Sequence, residues 1–254
     1  MTQPARELAA DRRALQLEIA VVLAVTFGMS AANAMLELID SVLRGLRGRI
    51  VALNPMRSPF DLVNLGLNLT SIAQLLAWGG LGLYLLWRSG ITPRQIGLGR
   101  PQWRADVLGG LGLAALIGLP GLGLYFVARV VGMSAEVVPS ALTDTWWRVP
   151  VLVLAAFANA WAEEVIVVGF LMSRLRQLGV GPPGAIVWSS LLRGAYHLYQ
   201  GFSAGLGNLV MGLVFGYVWQ RTGRLWPLVI AHGIIDTVAF VGYALAARHL
   251  GWLR

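Results

Sequence analysis

The sequence predicts an all-α fold, a polytopic transmembrane helical bundle of about seven spans, with eight as the upper count. Two observations lead to this prediction. First, 57% of the 254 residues are apolar, only 13% are charged, and the mean hydropathy is +0.67, a composition that is unusual for a soluble domain. Second, the apolar residues form long runs, and a helix needs about 20 apolar residues to cross the hydrocarbon core of a bilayer.

Seven runs are long enough, or nearly long enough, to span a membrane: approximately 15–43, 61–87, 105–131, 149–172, 183–200, 205–221 and 225–248. Together they occupy most of the chain, so we expect residues 1–254 to form a single membrane domain. The first run also resembles a cleaved signal peptide with a small-residue site at 32–34. Its helical pattern continues without a break beyond that site, which favours a membrane span.

The distribution of positive charge agrees with a membrane protein. All 20 basic residues are arginine, lysine and cysteine are absent, and the formal net charge is +8. The arginines lie in the breaks between apolar runs rather than in a basic stripe. We therefore expect membrane lipid, and not nucleic acid, as a partner, and an integral multi-pass protein of a bacterial cell membrane. The lack of cysteine excludes a disulfide framework, a thiolate metal site and a cysteine nucleophile.

The first two spans each carry polar residues on one helical face. Their spacings are i, i+4, i+7 in the first span and i, i+3, i+7, i+10 in the second. The residues are Asn33, Glu37 and Asp40, then Asp61, Asn64, Asn68 and Ser71. The favoured interpretation is that these stripes hold helices together by hydrogen bonds near a membrane surface. The alternative is that they line a water-filled cavity.

The fourth span contains two adjacent carboxylates, Glu163 and Glu164, with no basic neighbour along their own helix. Ionisable groups at bilayer depth cost about 2.5–3.5 kcal/mol each on insertion scales, so they are seldom present without a role. Desolvation and mutual repulsion oppose the ionisation of both, which prepares a carboxylate for acid or base work near neutral pH. The alternative is a pair that is neutralised by a buried arginine and only braces the bundle.

Two histidines lie in the later spans, each with a polar residue four positions away on the same helical face. Arg193 precedes His197 in the fifth span, and Asp236 follows His232 in the seventh. A single membrane histidine is commonly a helix-packing hydrogen-bond partner. Together with the glutamate pair, these residues form a candidate catalytic set.

These residues resemble a known family, the CPBP intramembrane proteases, also called the Abi family, which includes the type II CAAX prenyl endopeptidases and bacteriocin self-immunity proteins. Its motifs are EExxxR, FxxxH and HxxxN or HxxxD on three membrane helices. The chain has Glu163-Glu164 followed by Gly169-Phe170-Leu171, then Arg193 to His197, then His232 to Asp236. The resemblance covers roughly residues 149–250.

The resemblance implies a role for each matched residue. Glu163 would be the general base that activates a water, His197 would help to hold that water, and Glu164 would orient and buffer the pair. His232 and Asp236 would stabilise the oxyanion of the tetrahedral intermediate. The family is often labelled a metalloprotease, and zinc would bind Glu163, His197 and His232. We favour a mechanism without a required metal, because the histidines lack the HExxH spacing.

The chain departs from the family pattern at three positions. Val168 replaces the arginine of the first motif, Arg193 replaces the phenylalanine of the second, and Asp236 stands where asparagine is commoner. We hypothesise that Arg193 supplies the missing guanidinium from a neighbouring helix. An ionised Asp236 cannot donate a hydrogen bond to an oxyanion, so either it is protonated or it only orients His232.

The sequence thus predicts an intramembrane endopeptidase that cuts a membrane-associated or lipidated protein or peptide. One alternative is a catalytically inactive family member that acts as an immunity or binding protein, which the Val168 departure would explain. The other is an ion-coupled carrier in which the same polar residues relay protons or cations. Inverted repeats with matched broken helices would favour the carrier, and we find none.

Overall fold

The computed structural model describes residues 3–138 and 145–242, with side chains from residue 11 to residue 241 outside the gap. Nine α-helices make up most of this part of the chain: α1 (Gln3–Val25), α2 (Phe27–Arg44), α3 (Asp61–Arg88), α4 (Trp103–Val131), α5 (Arg148–Glu163), α6 (Leu171–Gln177), α7 (Pro182–Tyr196), α8 (Phe202–Thr222) and α9 (Trp226–Thr237). Two π-helical segments, Glu164–Phe170 and Val238–Gly242, continue α5 and α9, and 3₁₀ turns lie at Leu46–Gly48 and Leu198–Gln200. The all-α prediction is therefore confirmed.

Every predicted span overlaps one or more helices of the structure. Fewer helices than predicted reach spanning length. Among the described residues, four helices are long and apolar enough to cross a membrane, or five if the bent pair α1 and α2 counts as one span. Helix α7 has 15 residues and is shorter than a membrane span, and the apolar segment Trp226–Val241 is also shorter than a span. The last predicted span ends at residue 248 and the motif-bearing region at residue 250. Both ends lie outside the described residues, which stop at residue 242. The count of seven or eight thus stays a prediction.

The bend between α1 and α2 falls at Thr26, where the two helix axes differ by 54°. The Thr26 hydroxyl donates a hydrogen bond to the Val22 carbonyl at 2.6 Å. Such back-bonding competes with the helical hydrogen-bond ladder and bends helices. The first predicted span is therefore broken near its middle.

Helices α5 and α6 and the π segment between them form one continuous rod, Arg148–Gln177, at the centre of the bundle. In its most apolar window 67% of the residues are buried, against 11–39% in the other helices of spanning length. Residues Val165–Val168 and Phe170 are completely buried. The rod contacts α3 on one side and α9 on another, and α7 packs against its π segment. The glutamate pair at its midpoint is consequently buried among the surrounding helices.

A small extended layer covers one end of the bundle. Strand β1 (Ile50–Ala52) pairs in parallel with β2 (Glu136–Val138). Ser134 then forms an antiparallel bridge to Gly201, and the Ala135 amide donates to the Gln200 carbonyl at 3.0 Å. These bonds hold the connection between α7 and α8, which is the segment that follows His197.

The polar stripes of the first two spans make contacts at this same end. Glu37 pairs with Arg49 and Asp40 with Arg44, both at 2.8 Å. In α3, Asp61 accepts a hydrogen bond from the Trp147 indole at 3.1 Å. These contacts agree with the favoured interpretation that the stripes hold segments together by polar contacts.

Helix α3 packs closely against α5 at Gly79, and this contact yields a stability prediction. A Cβ at Gly79 would lie 2.6 Å from Trp161 Cδ1, whereas a Cβ at Gly80 would meet nothing within 4 Å. The Gly79→Ala variant should lose about 1–3 kcal/mol of stability, because the indole is rigid and the helices must move apart. The Gly80→Ala variant should be unchanged or more stable by up to about 1 kcal/mol. The thermal midpoints in detergent check the pair, and equal midpoints would contradict the packing argument.

Candidate active site

The glutamate pair meets one side chain from α7 and one from α9 inside the bundle. Glu164 Oε1 accepts a hydrogen bond from Arg193 Nη2 at 2.7 Å and lies 2.7 Å from His232 Nδ1. Glu163 Oε2 lies 3.5 Å from Arg193 Nη1 and 3.9 Å from His232 Nε2. All four residues are at most 3% exposed. Three segments far apart in the sequence thus contribute to one buried polar cluster.

The rod changes helical form at the glutamate pair. Helix α5 ends at Glu163, and the π segment begins at Glu164. A π turn has one residue more than an α turn, and such insertions are frequent at functional sites. The hydroxyl of Ser189 in α7 donates to the Val167 carbonyl of this segment at 2.8 Å. This bond fixes α7 against the rod just before Arg193.

Arg193 supplies the fixed positive charge of the cluster. Its guanidinium contacts both glutamates, lies 3.4 Å from His232 Nδ1, and stands 5.7 Å from the ring centroid of Phe215. Buried charges are stable only when they are paired and hydrogen bonded. The position of Arg193 agrees with the hypothesis that its guanidinium stands in for the one that Val168 lacks. The alternative of a merely braced pair requires the same contact.

Close packing places Arg193 at this depth. A Cβ at Gly194 would lie 2.9 Å from the Gly205 carbonyl oxygen, so α7 and α8 approach through their backbones. Helix α7 then ends at Tyr196, and the chain turns back into α8 at Phe202. The end of α7 therefore remains beside the centre of the rod.

Two residues that the sequence analysis does not single out bind Glu163 directly. The Tyr196 hydroxyl donates to Oε2 at 2.5 Å. The Asn159 side-chain amide donates to Oε1 at 3.0 Å and also to Asp236 Oδ2 at 2.9 Å. Asn159 precedes Glu163 by four residues and Tyr196 follows Arg193 by three, so helical spacing from the known motif residues would have found both.

His197 lies at the end of α7, next to the tyrosine that binds Glu163. Its Nδ1 is 3.0 Å from the backbone carbonyl of Arg193, and its ring centroid is 4.7 Å from that of Tyr196. A carbonyl only accepts, so Nδ1 carries the proton of a neutral ring and Nε2 is left as an acceptor. An acceptor nitrogen of this kind can hold a water molecule by one of its protons.

Asp236 lies on the more accessible side of the cluster. Its side chain is 16% exposed, and its Oδ2 is 3.5 Å from His232 Nε2. The same oxygen accepts the bond from Asn159. Asp236 thus acts as a hydrogen-bond acceptor for Asn159.

If a metal bound, Glu163, His197 and His232 would be its ligands, and these residues do not form a ready metal site. Among the residues with described side chains, no group of three or more His, Cys, Asp or Glu is arranged to hold a metal ion. The guanidinium of Arg193 also lies within 3.5 Å of Glu163 and His232. A second cation next to a permanent guanidinium charge would be repelled, so this donor set fits a zinc ion poorly.

The contacts of Arg193 predict a large effect of its removal. The Arg193→Leu variant should lose about 3–5 kcal/mol of stability, because two buried carboxylates lose their fixed counter-charge. Val168→Arg in the same protein should restore part of the loss from within the rod. Thermal midpoints in detergent check both expectations, with Arg221→Leu as the control for loss of a surface charge. A fully stable and active Arg193→Leu protein would refute the substitution hypothesis.

The region that holds this cluster also matches a known protein family. Residues 145–238 match the family model described as type II CAAX prenyl endopeptidase Rce1-like. The matched range contains all three motifs and both Asn159 and Tyr196. No curated protein and no solved structure matches the chain. The match confirms the resemblance of residues 145–238 to the CPBP/CAAX family.

Proposed function

We propose that the protein is an intramembrane endopeptidase of the CAAX prenyl protease type that hydrolyses a peptide bond with a water activated by Glu163. One observation carries the proposal: both carboxylate oxygens of Glu163 are held by donors from the protein, Tyr196 on one side and Asn159 on the other. A positioned carboxylate in a water-poor site is the group that general-base chemistry needs. The family match supports the same reaction class.

The proposed reaction begins with a water between Glu163 and His197. Each carboxylate oxygen can accept two hydrogen bonds, so Glu163 can bind this water in addition to its protein donors. Glu163 takes one proton as the water oxygen attacks the scissile carbonyl carbon, which forms a tetrahedral oxyanion. When the carbon–nitrogen bond breaks, the same proton passes from Glu163 to the leaving nitrogen. No proton has to leave the site during hydrolysis.

The remaining side chains stabilise the negative charge that develops on the oxyanion. His232 presents Nε2 toward the side on which Glu163 and Asp236 lie, and we assign it to the oxyanion. Glu164 fixes the other imidazole nitrogen and receives Arg193. Preorganised groups of this kind stabilise charge that develops in the transition state without reorganisation. Asp236, whose Oδ2 lies 3.5 Å from His232 Nε2, orients His232 and does not itself donate a hydrogen bond to the oxyanion.

We propose that hydrolysis requires no metal ion. The position of the Arg193 guanidinium between Glu163 and His232 supports this part of the proposal, since it supplies positive charge where a metal would have to bind. The substrate that suits the site is a membrane-associated or lipidated protein or peptide. A cluster in the middle of apolar helices is reached most readily by a peptide that is tethered to the bilayer.

The other functions have less support. The inactive immunity or binding protein rested on Val168, and Arg193 offers the guanidinium that this position lacks. The ion-coupled carrier would require repeats that the sequence does not contain.

The central test is peptide cleavage by the purified protein in liposomes, against membrane-tethered and prenylated peptides. Glu163→Gln should lower kcat by at least about 100-fold, because an amide cannot take the proton from water. Glu37→Gln is the matched control and should cleave normally. It neutralises an exposed glutamate of α2 that pairs with Arg49 outside the cluster. A strong chelator should leave the rate of the wild type unchanged.

The outcomes separate the parts of the proposal. Equal cleavage by Glu163→Gln and the wild type would remove Glu163 from the mechanism. Loss of cleavage in chelator, restored by zinc, would return a metal to it. A folded wild type that cleaves none of the peptides would count against the endopeptidase and favour the inactive family member.

The hydroxyl of Tyr196 gives a finer test. Tyr196→Phe keeps the ring that packs against Phe27 at a centroid distance of 5.0 Å and removes only the donor to Glu163. We expect kcat to fall by about tenfold, since a hydrogen bond to a charged group is worth about 1.5–3 kcal/mol. Tyr217→Phe on α8 removes a hydroxyl outside the cluster and serves as the control. Unchanged kcat in Tyr196→Phe would show that this bond does not matter for the reaction.

A further inference from the structure

Asn159 connects two acidic side chains that belong to different helices. Its amide nitrogen is 3.0 Å from Glu163 Oε1 in α5 and 2.9 Å from Asp236 Oδ2 in α9. A side-chain amide has two N–H donors, so it can make both bonds at once. The nitrogen must face this way, because the amide oxygen would repel both carboxylate oxygens. Asn159 is therefore a bridge with a defined orientation.

The bridge matters because the two carboxylates would otherwise face each other across the helix contact. Oxygens that bond to the same nitrogen lie close together, and two like charges at such a distance repel strongly in a medium of low dielectric constant. One amide between them converts the repulsion into two charge-assisted hydrogen bonds. The group of positions 159, 163 and 236 thus contains one amide and two carboxylates.

Building on the proposed function, we infer that Asn159 is a positioning residue that holds the base Glu163 in register with Asp236, and through Asp236 with His232. In this role the Asn159 amide donates to the carboxylate of Asp236, which makes the bond charge-assisted if that carboxylate is ionised. Asn159 fixes Oε1 of Glu163 while Tyr196 fixes Oε2. The carboxylate plane is then set from both sides, and α9 is held at the same point.

The inference predicts a specific pattern in a double-mutant cycle. Asn159→Asp leaves three carboxylates without an amide, and kcat should fall by at least about tenfold, since two hydrogen bonds to charged groups are lost. With Asp236→Asn added, the group again contains one amide and two carboxylates. The double variant should recover at least half of the loss in log kcat. KM should change less than twofold throughout, because Asn159 positions the base and does not bind substrate.

Two further measurements keep the result interpretable. Asn68→Asp places the same new carboxylate in α3, where the Asn68 amide bonds within its own helix at 2.8 Å, and it should cleave like the wild type. Thermal midpoints of the four proteins of the cycle, measured in detergent, should show the same loss and recovery. The midpoints need no substrate, so they test the bridge even if the wild type cleaves nothing and the proposed function fails.

Two outcomes for kcat and the thermal midpoint would overturn the inference. One is an Asn159→Asp protein with normal kcat and a normal midpoint. The other is a double variant no more active and no more stable than Asn159→Asp, since the amide at position 236 would then fail to replace the one at 159. A rise in KM with an unchanged kcat would also overturn it, because that pattern belongs to a substrate contact.

Discussion

The contact between Glu164 and Arg193 is the constraint on which the rest of the structure depends. A carboxylate that is fully buried among apolar helices has a prohibitive cost unless a cation meets it there. No cation lies within one turn of Glu164 along the rod, since Val168 occupies the position one turn later. The guanidinium must come from another helix and arrive at the middle of the rod. Helix α7 meets this requirement, with Arg193 bonded to Glu164 at 2.7 Å and buried completely.

The local structure around this contact follows from that requirement. Helix α7 has to end near the centre of the bundle, and the chain turns back at once into α8, with backbones close together at Gly194 and Gly205. Ser189 bonds to the π segment and fixes the height of α7 against the rod. Because α7 ends here, Tyr196 and His197 come to the same point as Arg193. The residues assigned to catalysis are thus neighbours of a charge pair that the fold needs in any case.

Sequence spacing predicted most of this site, and its limits have a physical cause. The i, i+4 relation placed Arg193 with His197 and His232 with Asp236 on single faces, and the motif order identified the family. Helical spacing says nothing about which faces of different helices meet, so the bridge of Asn159 to Asp236, 77 residues away, could not be read from either residue. The same limit applies to the spans: hydropathy located each helix, but the bend at Thr26 and the short α7 depend on hydrogen bonds and packing that an apolar run does not encode.

We propose that the departures of this chain from the family motifs follow one rule, in which a polar group moves to a neighbouring helix while the composition of the cluster is kept. The guanidinium missing at Val168 is present at Arg193, and its charge reaches the same glutamates. If Asn159 acts as inferred, the amide that the third motif commonly has at position 236 lies across the helix contact, and Asp236 becomes its acceptor. A buried site is constrained in total charge and in its balance of donors and acceptors, because each unpaired group costs free energy. It is less constrained in which helix supplies each group, provided that the side chains meet. Loss of one motif residue is therefore weak grounds for an inactive site when a neighbouring helix restores the same chemical group at the same place.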